Sequence, residues 1–183
     1  MLRPTYPITT PRLALRPFTP ADLDALYKIQ SRPDVMEHLY EQPRTADEAR
    51  ETLQRYMAVT ALEKEGDALR LAVTVDGQVI GHVMLEWLSE ANRGGEIGFV
   101  LHPDHHGRGY ATEAGREMLR LGFDGLGLHR IIGRLDAANT ASGRVLAKLG
   151  MRKEAHFVKN EWVKGRWADE AVYAMLADEW SAR

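Results

Sequence analysis

The residues best suited to chemistry in this chain lie close together. The run His105-His106-Gly107-Arg108-Gly109-Tyr110 follows an apolar stretch, Glu96-Ile97-Gly98-Phe99-Val100-Leu101, and precedes Ala111-Thr112-Glu113-Ala114-Gly115-Arg116-Glu117-Met118-Leu119. The apolar stretch is short and β-rich enough for a buried strand. Positions 111, 114, 115, 118 and 119 share one helical face. The order is therefore strand, glycine-bearing turn, helix. Gly107 and Gly109 let the main chain approach a ligand, and the first N–H groups of the new helix lack internal partners. Such a helix start attracts phosphate through free donors and the positive end of its dipole. Spacing excludes two nucleotide motifs. No run matches the Walker phosphate loop, and a dinucleotide fingerprint would need glycine where Thr112 stands. His102, His105 and His106 also cluster here, but a turn with only Asp104 nearby is a poor metal site.

The elements that must position this turn can be read on both sides of it. Residues 13–17 read as a first strand, and Thr19-Pro20 as an N-cap with proline at the first helical position. Leu23, Leu26, Tyr27 and Ile29 give that helix an apolar face. Thr45-Ala46-Asp47-Glu48 is a capping box opening a second helix, with Ala49, Leu53, Tyr56 and Thr60 on one side. Residues 69–75 and 79–88 are strands around the hairpin signal Asp76-Gly77. After the turn helix come a strand at 131–135 and a helix capped by Asn139, containing Val145, Leu146 and Leu149 and stopped by Gly150. Two strands around Lys164-Gly165-Arg166 close the chain. No repeat or linker divides it, so residues 1–183 read as one domain of mixed α/β class.

Composition narrows the function. A hydrophobic content of 44% with 27% charged residues is that of an ordinary soluble protein. The formal net charge of −2 argues against a nucleic-acid surface or a polybasic membrane anchor. With no cysteine there is no disulfide, thiolate zinc site or cysteine nucleophile. No apolar run approaches the length of a membrane span and no signal-peptide core is present, so the expected location is the cytoplasm.

The turn resembles the acyl-CoA pyrophosphate loop of GCN5-related N-acetyltransferases (GNAT), (Gln/Arg)-x-x-Gly-x-(Gly/Ala). His106 stands at the Gln/Arg position, a departure of little weight because the loop works through main-chain N–H groups. The longer stretch Gly107-Arg108-Gly109-Tyr110-Ala111-Thr112-Glu113-Ala114 resembles the branch named after ribosomal-protein N-terminal acetylation (RimJ/RimL-like). Asn139-x-x-Ser142, Lys148-Leu149-Gly150-Met151 and Gly165-x-x-x-Asp169 resemble later landmarks of the family. The resemblance covers nearly the whole chain. It implies a mixed, mostly antiparallel sheet splayed at the cofactor site, with helices on both faces. Acetyl-CoA is then the co-substrate, and a primary amine, on a protein N-terminus or a small molecule, the acceptor. The expected partners include neither nucleic acid nor membrane, and the expected assembly is a monomer or homodimer.

The resemblance also assigns roles. Without cysteine, transfer would be direct. Glu96 would take the amine's proton, directly or through water, with Glu161 on the terminal strand pair the other carboxylate within reach and bulk water the third candidate. A tyrosine that many relatives carry seven residues after the capping asparagine is Leu146 here, so the hydroxyl has moved or been dispensed with. The resemblance of Asn139-x-x-Ser142 to the RimJ/RimL-like branch makes Ser142 the candidate to protonate the departing thiolate. Val100, Leu101 and His102 would pair through their main chain with the pantetheine arm. His106, Gly107, Arg108, Gly109, Tyr110, Ala111 and Thr112 would hold the pyrophosphate, and Asn139 would cap its helix and touch the arm. Gly98 would allow a bulge that parts two strands. Trp87, Trp162 and Trp167 would line the acceptor pocket. The competing class is a non-catalytic acyl-CoA-binding regulatory module, which would keep the loop without needing Glu96.

Overall fold

The computed structural model describes residues 1–182. Eight strands form one sheet: β1 (Ile8–Thr9), β2 (Ala14–Arg16), β3 (Ala68–Val75), β4 (Gln78–Ser89), β5 (Gly94–Leu101), β6 (Arg130–Asp136), β7 (Arg152–Val163) and β8 (Arg166–Leu176). Their spatial order is β1-β2-β3-β4-β5-β6-β8-β7. Every neighbouring pair is antiparallel except β5 and β6. The β3–β4 and β7–β8 hairpins close through Asp76-Gly77 and Lys164-Gly165, each with two positive φ angles. That backbone matches the twist of the flanking strands, and glycine at the second position makes it cheap.

Helices cover both faces. On one lie α4 (Tyr110–Arg120) and α5 (Thr140–Lys148). Met118, Leu119, Leu146 and Leu149 are buried there against Val83, Leu85, Ile97 and Ile131 in the main core. Each such side chain fully removed from water contributes roughly 1.5–3 kcal/mol. Gly115 lets the two helices touch, since a Cβ there would lie 2.8 Å from a methyl of Leu149. On the opposite face α1 (Leu23–Gln30) and α3 (Ala46–Ala58) bury Leu26 and Leu53 with Phe18 and Ala72. A short helix α2 (Pro33–Met36) and a terminal helix α6 (Ala177–Ser181) complete the described elements, and no helix among them is long and apolar enough to cross a membrane.

Most expected elements are present, with instructive differences. Thr19-Pro20 opens a single 3-10 turn, Pro20–Asp22, before α1 begins. Tyr27 is 38% exposed rather than part of the buried face, and α3 ends before Thr60. The two-residue β1 and the one-turn α2 carry too few residues to show a period.

The feature that makes a site is the incomplete pairing of β5 with β6. They are in register only at Gly94–Arg130, Gly95–Ile131 and Glu96–Ile132. Beyond that point β5 continues to Leu101 and β6 to Asp136 without pairing, so the sheet opens. Gly98 does not bulge: it pairs regularly with Met84, and the irregularity in that pair of strands lies at Trp87 and Ser89.

Candidate active site

The opening between β5 and β6 leads into a cleft of about 410 Å³. Its walls are residues 99–101 of β5, the glycine turn, the start of α5 at residues 139–142, and Val35, His38 and Leu39 in and after α2. The pairing alternation of β5 decides what its edge offers. His102 N–H is bonded to the Ile80 carbonyl, and the register to β4 is unbroken from there back through Gly98. In an antiparallel ladder this turns the main-chain groups of Val100 toward β4, and those of Phe99 and Leu101 toward the opening. The expectations for Val100 and His102 are therefore corrected. Val100 lines the cleft, but its main-chain groups face its neighbour strand. His102 N–H goes to Ile80 and its carbonyl accepts from His105. Phe99, which sequence reading passed over, turns its main-chain groups to the opening together with Leu101.

The turn is held open from outside. Gly107 and Gly109 have φ of 73° and 82°, in the left-handed region. Gly109 is the N-cap of α4 and no side chain caps that helix. Its first free N–H groups border the cleft through Tyr110, Ala111 and Thr112. Glu113, one turn in, accepts from Thr10 Oγ1 at 2.5 Å, from Arg12 N–H at 3.0 Å and from Arg12 Nε at 2.7 Å. Burial would raise its carboxyl, but these donors hold it below the ordinary glutamate range. Arg12 also donates to the Arg108 carbonyl at 2.7 Å and lies over the Tyr110 ring. Arg108 itself is exposed at the loop tip and off the cleft wall. His106 anchors the other end: its Nε2 lies 2.9 Å from the Leu101 carbonyl. The histidine thus ties turn to strand, a positioning task for the side chain that departs from the motif's Gln/Arg.

At the start of α5 the Asn139 side chain accepts from Ser142 N–H at 3.0 Å. Asn139 and Ser142 both line the cleft. The Ser142 hydroxyl bonds to no other described residue.

Beyond the opening, on the face shared with α1 and α3, charged side chains gather. Glu96 is 8% exposed and its Oε2 accepts from Arg134 at 2.7 and 3.0 Å. The hydrogen bond to Glu96, and the nearby Glu170 and Glu86 carboxylates, raise the Arg134 guanidinium pKa against burial. Glu96 does not border the cleft itself. Asp136, at the end of β6, is 4% exposed. It accepts from Ala138 N–H at 2.9 Å and Arg166 at 3.2 Å, and meets His38 Nδ1 at 3.3 Å. Burial alone would raise this carboxyl, but those three partners hold it below the ordinary range. Half-exposed Tyr40 is raised by partial burial and by Glu170, Glu161 and Asp136. Of the tryptophans expected at the acceptor pocket, Trp87 is buried in the main core, and Trp162 and Trp167 pack on one another at the exposed hairpin.

A ligand that joins a pyrophosphate to an amide-bearing arm fits what the cleft supplies. An uncapped helix start with two left-handed glycines can take a pyrophosphate, and the free edge of β5 can pair with amides. Residues 12–152 match the family model described as an acetyltransferase (GNAT) domain. The chain belongs to the GNAT family. This GNAT chain is 34% identical over 177 residues to an uncharacterized N-acetyltransferase, YnaD, of Bacillus subtilis strain 168, covering 95% of this chain and 99% of the relative. A crystal structure of a GNAT-family acetyltransferase from Bacillus anthracis superimposes with a TM-score of 0.84 at 32% identity, covering 94% of this chain and 99% of that one. A spermidine N-acetyltransferase from Vibrio cholerae, solved with CoA and spermine, superimposes with a TM-score of 0.79 at 22% identity, over 94% of this chain and 99% of that one, and shows the shared fold. This GNAT chain is an acyltransferase whose co-substrate is acetyl-CoA, which supplies an activated acetyl carbonyl and a thiolate leaving group.

Proposed function

We propose that the chain transfers acetyl from acetyl-CoA directly to a primary amine that carries further positive charge. The observation that carries this reading is the junction of the cleft with the acidic face. At one end lie the uncapped start of α4 and the free edge of β5. At the other lie Glu96, Asp136, Glu161 and Glu170, with Arg134 and Arg166 their nearest counter-charges. Carboxylates in such excess favour a cationic acceptor and slow its loss. Phe99 and Leu101 pair with the pantetheine arm, and the N–H groups of residues 107–112 take the pyrophosphate. Ser142, with its hydroxyl on the cleft wall, is placed to protonate the thiolate. Glu96, fixed by Arg134, attracts the acceptor's charge toward the opening. The resemblance of the glycine turn and of Asn139-x-x-Ser142 to the RimJ/RimL branch supports a protein N-terminal amine as the competing acceptor.

A panel containing spermidine, a neutral primary amine and short peptides with free N-termini, followed by CoA release, separates these. Turnover of spermidine well above the neutral amine and the peptides is expected. Preference for the peptides would move the acceptor to a protein N-terminus, and preference for the neutral amine would remove the role given to the acidic face.

A further inference from the structure

We propose that His38, oriented by the buried carboxylate of Asp136, accepts the proton of the attacking amine. His38 lies just after α2, borders the same cleft as Ser142, and keeps 29% of its side chain exposed. Its Nδ1 lies 3.3 Å from Asp136 Oδ2, while Nε2 has no partner among the described residues. A carboxylate on Nδ1 fixes the tautomer with the proton there and leaves the Nε2 lone pair free to accept. Asp136 is itself fixed by Ala138 N–H and Arg166, so the ring is held from behind by a rigid group. The segment carrying His38 is in turn tied to the β7–β8 hairpin, where Lys164 Nζ donates to the carbonyls of Met36 and Glu37. Glu96, by contrast, is engaged by Arg134 and lies off the cleft wall.

The inference rests on the acetyl-transfer reading above. The amine lone pair attacks the thioester carbonyl carbon and the new C–N bond forms. The nitrogen's proton passes to Nε2 of His38. The C–S bond then breaks with its electron pair on sulfur, and the thiolate takes a proton from the Ser142 hydroxyl, itself resupplied from solvent. His38 returns its proton to solvent. Asp136 acts through the ring and is a positioning residue. Asp136 on β6 meets the ring and Arg166 on β8 bonds to that carboxylate. Asp34 on its own segment and Arg144 on α5 line the same cleft, and Lys164 at the hairpin tip bonds to the carbonyls of Met36 and Glu37.

Two experiments on the full chain test this. Bromoacetyl-CoA places an alkylating carbon where the acetyl group would lie, and the chain has no cysteine to divert it. Attack by Nε2 forms a C–N bond and expels bromide. One adduct at His38, located by mass spectrometry, blocked by CoA and absent from His38→Gln, is expected. Labelling only elsewhere, or none while the reagent competes with acetyl-CoA, overturns the proposal. In the second experiment His38→Gln should lower turnover at least ~10²-fold, the scale of a lost general base, with acetyl-CoA affinity unchanged. Asp136→Asn should lower turnover with acetyl-CoA affinity unchanged and slow the labelling of His38 by bromoacetyl-CoA, since the ring loses the carboxylate that orients it; unchanged labelling with unchanged turnover would remove the positioning role. Turnover of His38→Gln within threefold of wild type, or loss of acetyl-CoA affinity with it, overturns the proposal. If the wild-type chain acetylates neither spermidine nor peptide, the acceptor reading fails, while labelling still decides the place of His38.

Discussion

Helices α4 and α5 begin at the same cleft, yet they begin in opposite ways. The start of α4 has a left-handed glycine for an N-cap and no side chain on its free N–H groups. The start of α5 has Asn139, whose side chain already holds Ser142 N–H. A side-chain cap satisfies one of the free donors of a helix start; an uncapped start keeps that donor for a ligand. On the proposed reading the contrast divides the work: α4 would bind the phosphates, and α5 would present a hydroxyl. It also explains why α4 needs outside support, which Thr10 and Arg12 provide by donating to Glu113 in its first turn.

The strongest way to break this division is at Gly109. A β-branched side chain in the left-handed region is strained, and a Cβ there would lie 3.3 Å from Arg12. Gly109→Val should weaken acetyl-CoA binding by ~10³-fold, about 4 kcal/mol, measured by calorimetry on folded protein. Wild-type affinity would show that α4 does not bind the pyrophosphate.

This half of the site was legible in the sequence because it is local. Strand, glycines and helix follow one another, and each signal lies within a few residues of the next. The acidic half was not. His38 meets Asp136 across 98 positions, and Arg134 meets Glu96 across 38. No spacing rule connects such pairs; only the sheet order and the opening of β5 from β6 do. Glu96 stands out in the sequence as a carboxylate near the start of a strand, but nothing there shows its engagement by Arg134. The pairing parity that replaces Val100 with Phe99 depends on which N–H of the strand first bonds to β4, a property of register rather than composition. Glu113 did carry a signal, an acidic residue in the first helical turn, although its partners near residue 10 were out of view.

The two faces also differ in how they respond to acid. His82 lies beneath α1 and α3, between Phe18 and Tyr56. Burial first, then Arg70 and Arg44, lowers its pKa from 6.5 to about 4. The unfolded chain therefore binds a proton that the folded chain refuses between those values. Stability from this group is full above pH 6.5 and falls as pH drops toward 4, by about 3 kcal/mol in total. Urea unfolding of wild type and His82→Gln across that range should show the extra pH dependence only in wild type. Equal slopes would mean that the ring is protonated in place.

Ser142→Ala tests the hydroxyl that α5 presents. Water can replace a serine as proton donor, so turnover should fall only ~10-fold, about 1.4 kcal/mol, with acetyl-CoA affinity unchanged in calorimetry. A fall in affinity instead would make Ser142 a binding group and erase half of the contrast between the helices.

The smallest effect is expected at Asn139, and it is the most discriminating. Removing an asparagine cap costs about 1 kcal/mol of stability, because one N–H of the first turn loses its acceptor. Asn139→Ala should show that loss in urea unfolding. If the cap is its main role, acetyl-CoA affinity should move by no more than a few-fold. The freed Ser142 N–H would then face the cleft, making the start of α5 resemble that of α4. A variant that is less stable yet binds acetyl-CoA equally well would place anion recognition in α4 alone. One that binds more tightly would show that capping by Asn139 withholds a donor the thioester could use. A loss approaching that of Gly109→Val would mean that the asparagine grips the pantetheine arm as well as its helix, and that both helix starts hold the co-substrate.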